Sequence, residues 1–135
     1  MITSMIVAAL LGAAPSADSV VGQWKTETRN GIVDIQRCGP SLCGHLVTSD
    51  GIRTNPALPD VNNKDATLRG RTLKGVLMLK GFRWADGVWD GGTIYNAEDG
   101  KIYKARITSV DADHLVLRGC IFVPLCKTQN WTRVR

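Results

Sequence analysis

The chain holds 135 residues, with 17 Lys and Arg against 12 Asp and Glu and a formal net charge of +5. That length makes one domain with a single core, and no apolar run reaches the about 20 residues that a membrane-spanning helix needs. The positive balance does not read as a nucleic-acid surface, because Arg29, Arg37, Arg53, Arg83 and Arg106 are spread among acidic residues instead of gathering with aromatics on one element.

Residues 1–17 (MITSMIVAALLGAAPSA) carry no charged side chain, run apolar from Ile6 to Ala14 and end in small residues before Asp18. This has the shape of a secretory signal and predicts an exported domain over 18–135, periplasmic or secreted. The usual basic n-region is missing and Pro15 spoils an A-x-A site, so cleavage after Ser16 and after Ala17 both stay open. A buried N-terminal helix is the competing reading, and the switch to a strand pattern at Val20 weighs against it.

From Val20 onward, short β-branched and apolar runs alternate with Gly, Asn and Asp, and no window carries a helical stripe. Strands are predicted over 21–28, 31–38, 42–48, 73–82, 88–96, 101–110, 114–118 and 128–134. About eight strands suit an all-β, antiparallel up-and-down barrel, whose interior holds packed side chains or one small ligand. Turns at Arg29-Asn30-Gly31, Glu98-Asp99-Gly100 and Asp111-Ala112-Asp113 join neighbouring strands. Gly22 and Trp24 open the first strand while Trp131 and Arg133 lie on the last, which predicts that Trp24, Trp131 and Arg133 close the barrel, a cation resting on an indole face. Alternation sets Tyr103, Ala105 and Ile107 opposite Lys104 and Arg106, and Leu115 and Leu117 opposite His114 and Arg118. The inward set supplies candidate ligand-facing residues: Leu73, Leu77, Leu79, Tyr103, Ile107, Leu115 and Leu117.

Two features interrupt the strand pattern. Residues 49–72 form a long connection with Pro56, Pro59 and several Asn and Asp, of the kind that serves as a lid or binding loop, with room for a helical turn near 64–69. It is expected near the barrel mouth. The four cysteines, Cys38, Cys43, Cys120 and Cys126, are an even set suited to an oxidising compartment, and four cysteines allow three connectivities. Hairpin proximity favours the local pairs, although each short loop contributes only about 2 kcal/mol against more than about 4 for a bridge between the two distant pairs. A zinc site is disfavoured by intervals of four and five residues between partners.

The densest polar constellation is Asp60, Asn62, Asn63, Asp65, Arg69 and Arg71. Arg69 or Arg71 could bind a carboxylate at the mouth; the blander reading has Asp60, Asn62 and Asn63 capping turns while the arginines pair with them. As a calcium loop the segment fails at Lys64, where an oxygen ligand is needed. No nucleophile with a base, paired carboxylates or histidine metal set is evident, since His45 and His114 are isolated and Asp34 alternates outward. No catalytic residue, metal or cofactor is therefore assigned. Asn130-Trp131-Thr132 matches a glycosylation sequon whose place in a closing strand argues against use.

Taken in order, Gly22 and Trp24, Leu42-Cys43-Gly44, residues 62–65 with Arg69-Gly70-Arg71, residues 92–95 with Glu98-Asp99-Gly100 and Tyr103, and Trp131-Thr132-Arg133 resemble the bacterial domain of unknown function 2147 family. The resemblance spans nearly the whole chain after residue 17 and implies an exported lipocalin-like or calycin-like barrel; it carries over no site residue. Lys64 stands where proline is expected after the Asn pair, and Asn96-Ala97 where proline commonly follows Asp or Asn. The leading expectation is a non-enzymatic container for a small apolar or amphipathic molecule. The alternatives are a packed interaction or structural module of the cell envelope and an unrecognised hydrolase.

Overall fold

The computed structural model describes residues 16–122 and 125–135. The signal-sequence reading falls on residues 1–15, outside the described residues, and on the two that follow. Eight strands, β1 (Gly22–Lys25), β2 (Ile32–Cys38), β3 (Ser41–Thr48), β4 (Leu77–Ala85), β5 (Val88–Asn96), β6 (Lys101–Asp111), β7 (His114–Phe122) and β8 (Leu125–Arg133), each pair antiparallel with the next in a closed barrel. Closure is made where Trp24 and Lys25 face Arg133 and Thr132. Up-and-down order puts the β2–β3, β4–β5 and β6–β7 turns and both chain ends at one end of the barrel. The β1–β2 and β5–β6 turns and the β3–β4 connection lie at the other.

Trp24 and Arg133 lie against each other at the β1–β8 seam, while Trp131 faces Leu115 on β7. The Arg133 guanidinium lies 4.4 Å from the Trp24 ring and donates to the carbonyls of Val21, Ser19 and Ala112 at 2.8, 2.6 and 2.6 Å. A side chain at Gly22, whose φ is +129°, would place Cβ 2.6 Å from Arg133 Nη1, so only glycine admits the arginine here. A short 3-10 turn, Ala17–Val20, caps this end with Val20 buried.

The interior is filled. Trp24, Trp89, Trp131, Phe82, Val33, Ile35, Leu42, Leu79, Ile107 and Leu115 are each 0% exposed, leaving no surface that a water molecule could touch from outside or from within the barrel. Gly92 makes room for this packing, since a Cβ there would lie 2.3 Å from the Phe82 ring. Each buried indole N–H finds an acceptor: Trp24 on the Val20 carbonyl, Trp89 on the Ala17 carbonyl and Trp131 on Gln129 Oε1, at 2.9, 2.9 and 2.8 Å.

The pairs Cys38–Cys43 and Cys120–Cys126 are both bonded, with Cα separations of 5.9 and 4.0 Å, so the local connectivity holds. Several predicted boundaries move: β1 ends at Lys25 instead of 28, and β4 ends at Ala85 instead of 82. β4 starts at Leu77 instead of 73, because Leu73 and Gly75 donate their N–H groups to the carbonyls of Leu58 and Leu46 and belong to the connection. β7 and β8 run further toward their shared turn, where Cys120 faces Cys126. A short helix, α1 (Asp50–Thr54), follows β3, its first turn capped by Ser49, whose Oγ accepts from the Ile52 N–H at 3.3 Å.

Candidate functional site at the barrel rim

The long connection folds back on itself and straps the barrel end. Pro59 pairs with Thr72, Asp60 N donates to the Arg71 carbonyl, and Leu73 N to that of Leu58, so its two arms form a narrow ribbon. At the ribbon's tip Asp60 is fully enclosed, yet every approach to it is occupied. Its Oδ1 accepts from the Tyr95 hydroxyl at 2.5 Å, and Oδ2 accepts from Asn63 Nδ2 at 2.9 Å and Arg71 Nε at 3.0 Å. The Arg71 guanidinium also lies 5.2 Å from the Tyr95 ring.

Tyr95 sits on the side of β5 away from the core, since its neighbour Ile94 packs inward and alternation turns Tyr95 outward. The strap buries it all the same, leaving it 7% exposed. Burial first and then the Asp60 carboxylate push its hydroxyl up to about 12, which keeps it a donor.

Asn62 anchors the strap to the β5–β6 turn by donating to the carbonyls of Ala97 and Glu98 at 3.3 and 3.2 Å. The approach is so close that a Cβ at Gly100, itself at φ +71°, would fall 1.7 Å from the Asn62 carbonyl oxygen. The Asn63 carbonyl accepts from Arg69 Nε at 2.8 Å, and its side-chain oxygen accepts from Asp65 N at 2.8 Å. Asp65 caps the 3-10 turn Ala66–Leu68 through Thr67, whose hydroxyl and N–H hold the carboxyl below the usual carboxylate range.

A second tie crosses the mouth. The β1–β2 and β5–β6 turns stand on opposite sides of an eight-strand rim, and Arg29 Nε reaches Glu98 Oε1 at 2.6 Å. Asn30 donates to both oxygens of Asp50 and Arg53 donates to the Asn30 carbonyl, which fastens α1 to the same turn with Ile52 buried. Between strap and β5–β6 turn remains a solvent-facing cleft of about 470 Å³. Val61, Asn62, Asn63, Lys64 and Arg69 form one wall, and Glu98, Asp99 and Lys101 the other. A smaller depression of about 310 Å³ lies toward the far end of the barrel, around Arg83 and Asp90.

The sequence-predicted ligand residues do not form one site. Leu79, Ile107, Leu115 and Leu117 are interior and in contact with other side chains of the filled core. Leu73 is half-buried in the strap, and Tyr103 is half-buried with its hydroxyl on Asp99. Leu77 has to be corrected: it is 42% exposed, because the β3–β4 register shifts between Gly44 and His45 and breaks the alternation that would have turned it inward. Met78 packs against the core in its place. Of the two arginines, Arg71 is spent on Asp60 while Arg69 faces the cleft. Lys64, Lys101, Glu98 and Asp99 were not singled out as a group, since only the strap's path brings residues 61–69 against 98–101.

The model of uncharacterized proteins conserved in bacteria, DUF2147, matches residues 22–133. The chain belongs to the DUF2147 family. No curated protein matches it. Among solved structures, this DUF2147 barrel is similar to protein HP1028 from the human pathogen Helicobacter pylori, described as belonging to the lipocalin family. The two share 22% identity with a TM-score of 0.75 over 85% of this chain and 82% of that one. At that identity the likeness establishes the lipocalin-type barrel.

Proposed function

We propose that this DUF2147 protein is an exported, non-catalytic module that acts through its outer surface, the barrel serving as a rigid support for the strap and turns at its rim. The packed interior carries this reading: Trp24, Trp89, Trp131 and Phe82 have no accessible surface of their own. Small-molecule sites span roughly 300–1,000 Å³, and opening one here would displace whole rings from a close-packed core. Export is supported by the two local disulfide pairs, which persist in oxidising compartments, and by the uncharged apolar start of the chain. The lipocalin-type fold favours a second reading, a small apolar or amphipathic ligand within the barrel. It requires a cavity, and the fully buried side chains among the described residues border none.

Native mass spectrometry of the protein exported by its own host, washed at high salt without detergent, separates the two. A mass equal to the chain alone, less four hydrogens for the two disulfides, is expected. A reproducible extra mass released only on unfolding would replace the surface reading by the container. The same spectrum reports the mature N-terminus, which is expected at Ala17 or earlier. Cleavage after Ala17 would remove the carbonyl that accepts from the buried Trp89 indole.

A further inference from the structure

The cleft between the strap and the β5–β6 turn gathers three cations that form no ion pair among the described residues. We propose that it binds a small organic oxyanion, a carboxylate or a phosphate ester; the inference rests on the surface-acting reading above and names its site and ligand class. Lys64, Arg69 and Lys101 line the cleft, and none forms an ion pair among the described residues. The two acids beside them are engaged elsewhere. Glu98 holds Arg29 across the mouth, while Asp99 accepts from the Tyr103 hydroxyl and from Lys101 N.

Arg69 is also oriented for the task. Its Nε donates to the Asn63 carbonyl at 2.8 Å, so the side chain is held by one nitrogen, and neither terminal nitrogen has a hydrogen-bond partner among the described residues. That edge of a guanidinium grips a carboxylate or phosphate through two parallel hydrogen bonds. The walls are fixed before any ligand arrives: Asn62 is tied to Ala97 and Glu98, Gly100 touches the Asn62 carbonyl, and Asn63 hangs from the enclosed Asp60. Little ordering is left for binding to meet. Val61, 61% exposed on the strap wall, offers an apolar surface for a short hydrocarbon portion beside the charged group. These groups line one open cleft of about 470 Å³, a volume in the range of small-molecule sites.

Calorimetric titration and amide-resolved NMR, at low salt and with citrate and hexyl phosphate as probes, test the proposal. Saturable binding is expected, with shifts centred on Asn62, Asn63 and Gly100. Affinity should fall about tenfold in Arg69→Gln and about threefold in Lys101→Gln, whose side chain holds no part of the framework. Arg83→Gln removes the same charge at the opposite end and should leave affinity unchanged. The proposal is overturned by absence of saturable binding to either probe, by an equal loss in Arg83→Gln, or by binding to anionic phosphatidylglycerol vesicles alone. Such a failure beside a clean apo mass leaves the surface-acting reading standing, whereas a ligand released only on unfolding removes that reading whatever the titrations give.

Discussion

At Asp60 a carboxylate with no exposed side-chain surface receives hydrogen bonds from Tyr95, Asn63 and Arg71, so the strap is held down by one buried polar contact point. Removing the Tyr95 hydroxyl as Tyr95→Phe leaves one carboxylate oxygen without its donor and should cost about 1–3 kcal/mol in denaturant unfolding. The pH dependence has a definite sign. Tyr95 titrates near 10 when unfolded and at about 12 when folded, so its contribution is complete below pH 10 and is lost as pH rises toward 12, about 2–3 kcal/mol in all. Tyr103, raised to about 12 chiefly by its hydrogen bond to Asp99, adds a slope of the same sign. Tyr95→Phe should therefore lose stability less steeply than the parent between pH 10 and 12. Parallel curves would show that the strap does not hold Tyr95 protonated.

Among the elements, the β5–β6 turn bears two very different loads. Gly100 meets the Asn62 carbonyl at its positive φ, and Gly100→Ala combines a backbone penalty with a clash that pushes the strap away. A loss of about 1–3 kcal/mol is expected, with faster hydrogen exchange across residues 58–73. Glu98 sits two residues earlier in an ion pair whose side chains are 71% and 49% exposed, so Glu98→Gln should change stability by only a few tenths of a kcal/mol. If the two substitutions cost the same, the strap is not seated on Gly100. α1 shows what sequence reasoning misses at this scale. Ser49 and Asp50 are a local helix-start signal, but five residues are too few to give a helical stripe, and the helix persists because Asn30 and Arg53 tie it to the first turn.

For the molecule as a whole, the decisive fact is that ring volume fills the barrel. Phe82 lies against Gly92 among fully buried tryptophans, so Phe82→Ala should lose about 3–5 kcal/mol and leave an apolar void. A void of that kind stays dry and takes up small apolar guests. The variant should therefore bind benzene or xenon where the parent does not, measured by the shift of its melting temperature with guest concentration. Parent protein that binds them equally well would mean that the interior is not filled.

The strand count, the up-and-down order and the local cysteine pairs were legible because they are written in short-range signals: period-two alternation, turn residues and hairpin spacing. The family resemblance was legible for the same reason, as motifs in a fixed order. What lies between distant segments was not. Asp60 and Tyr95 stand 35 residues apart and Arg29 and Glu98 69 apart, and no local pattern announces either contact. Leu77 turned outward because β4 carries an extra residue between Leu77 and Leu79 opposite Gly44 and His45, an irregularity that a period-two pattern does not reveal. By itself the sequence determined a lipocalin-type barrel of about eight antiparallel strands. Whether that barrel is hollow or full, and where its unpaired cations gather, was decided by tertiary packing, because both depend on how side chains from separate strands share one volume.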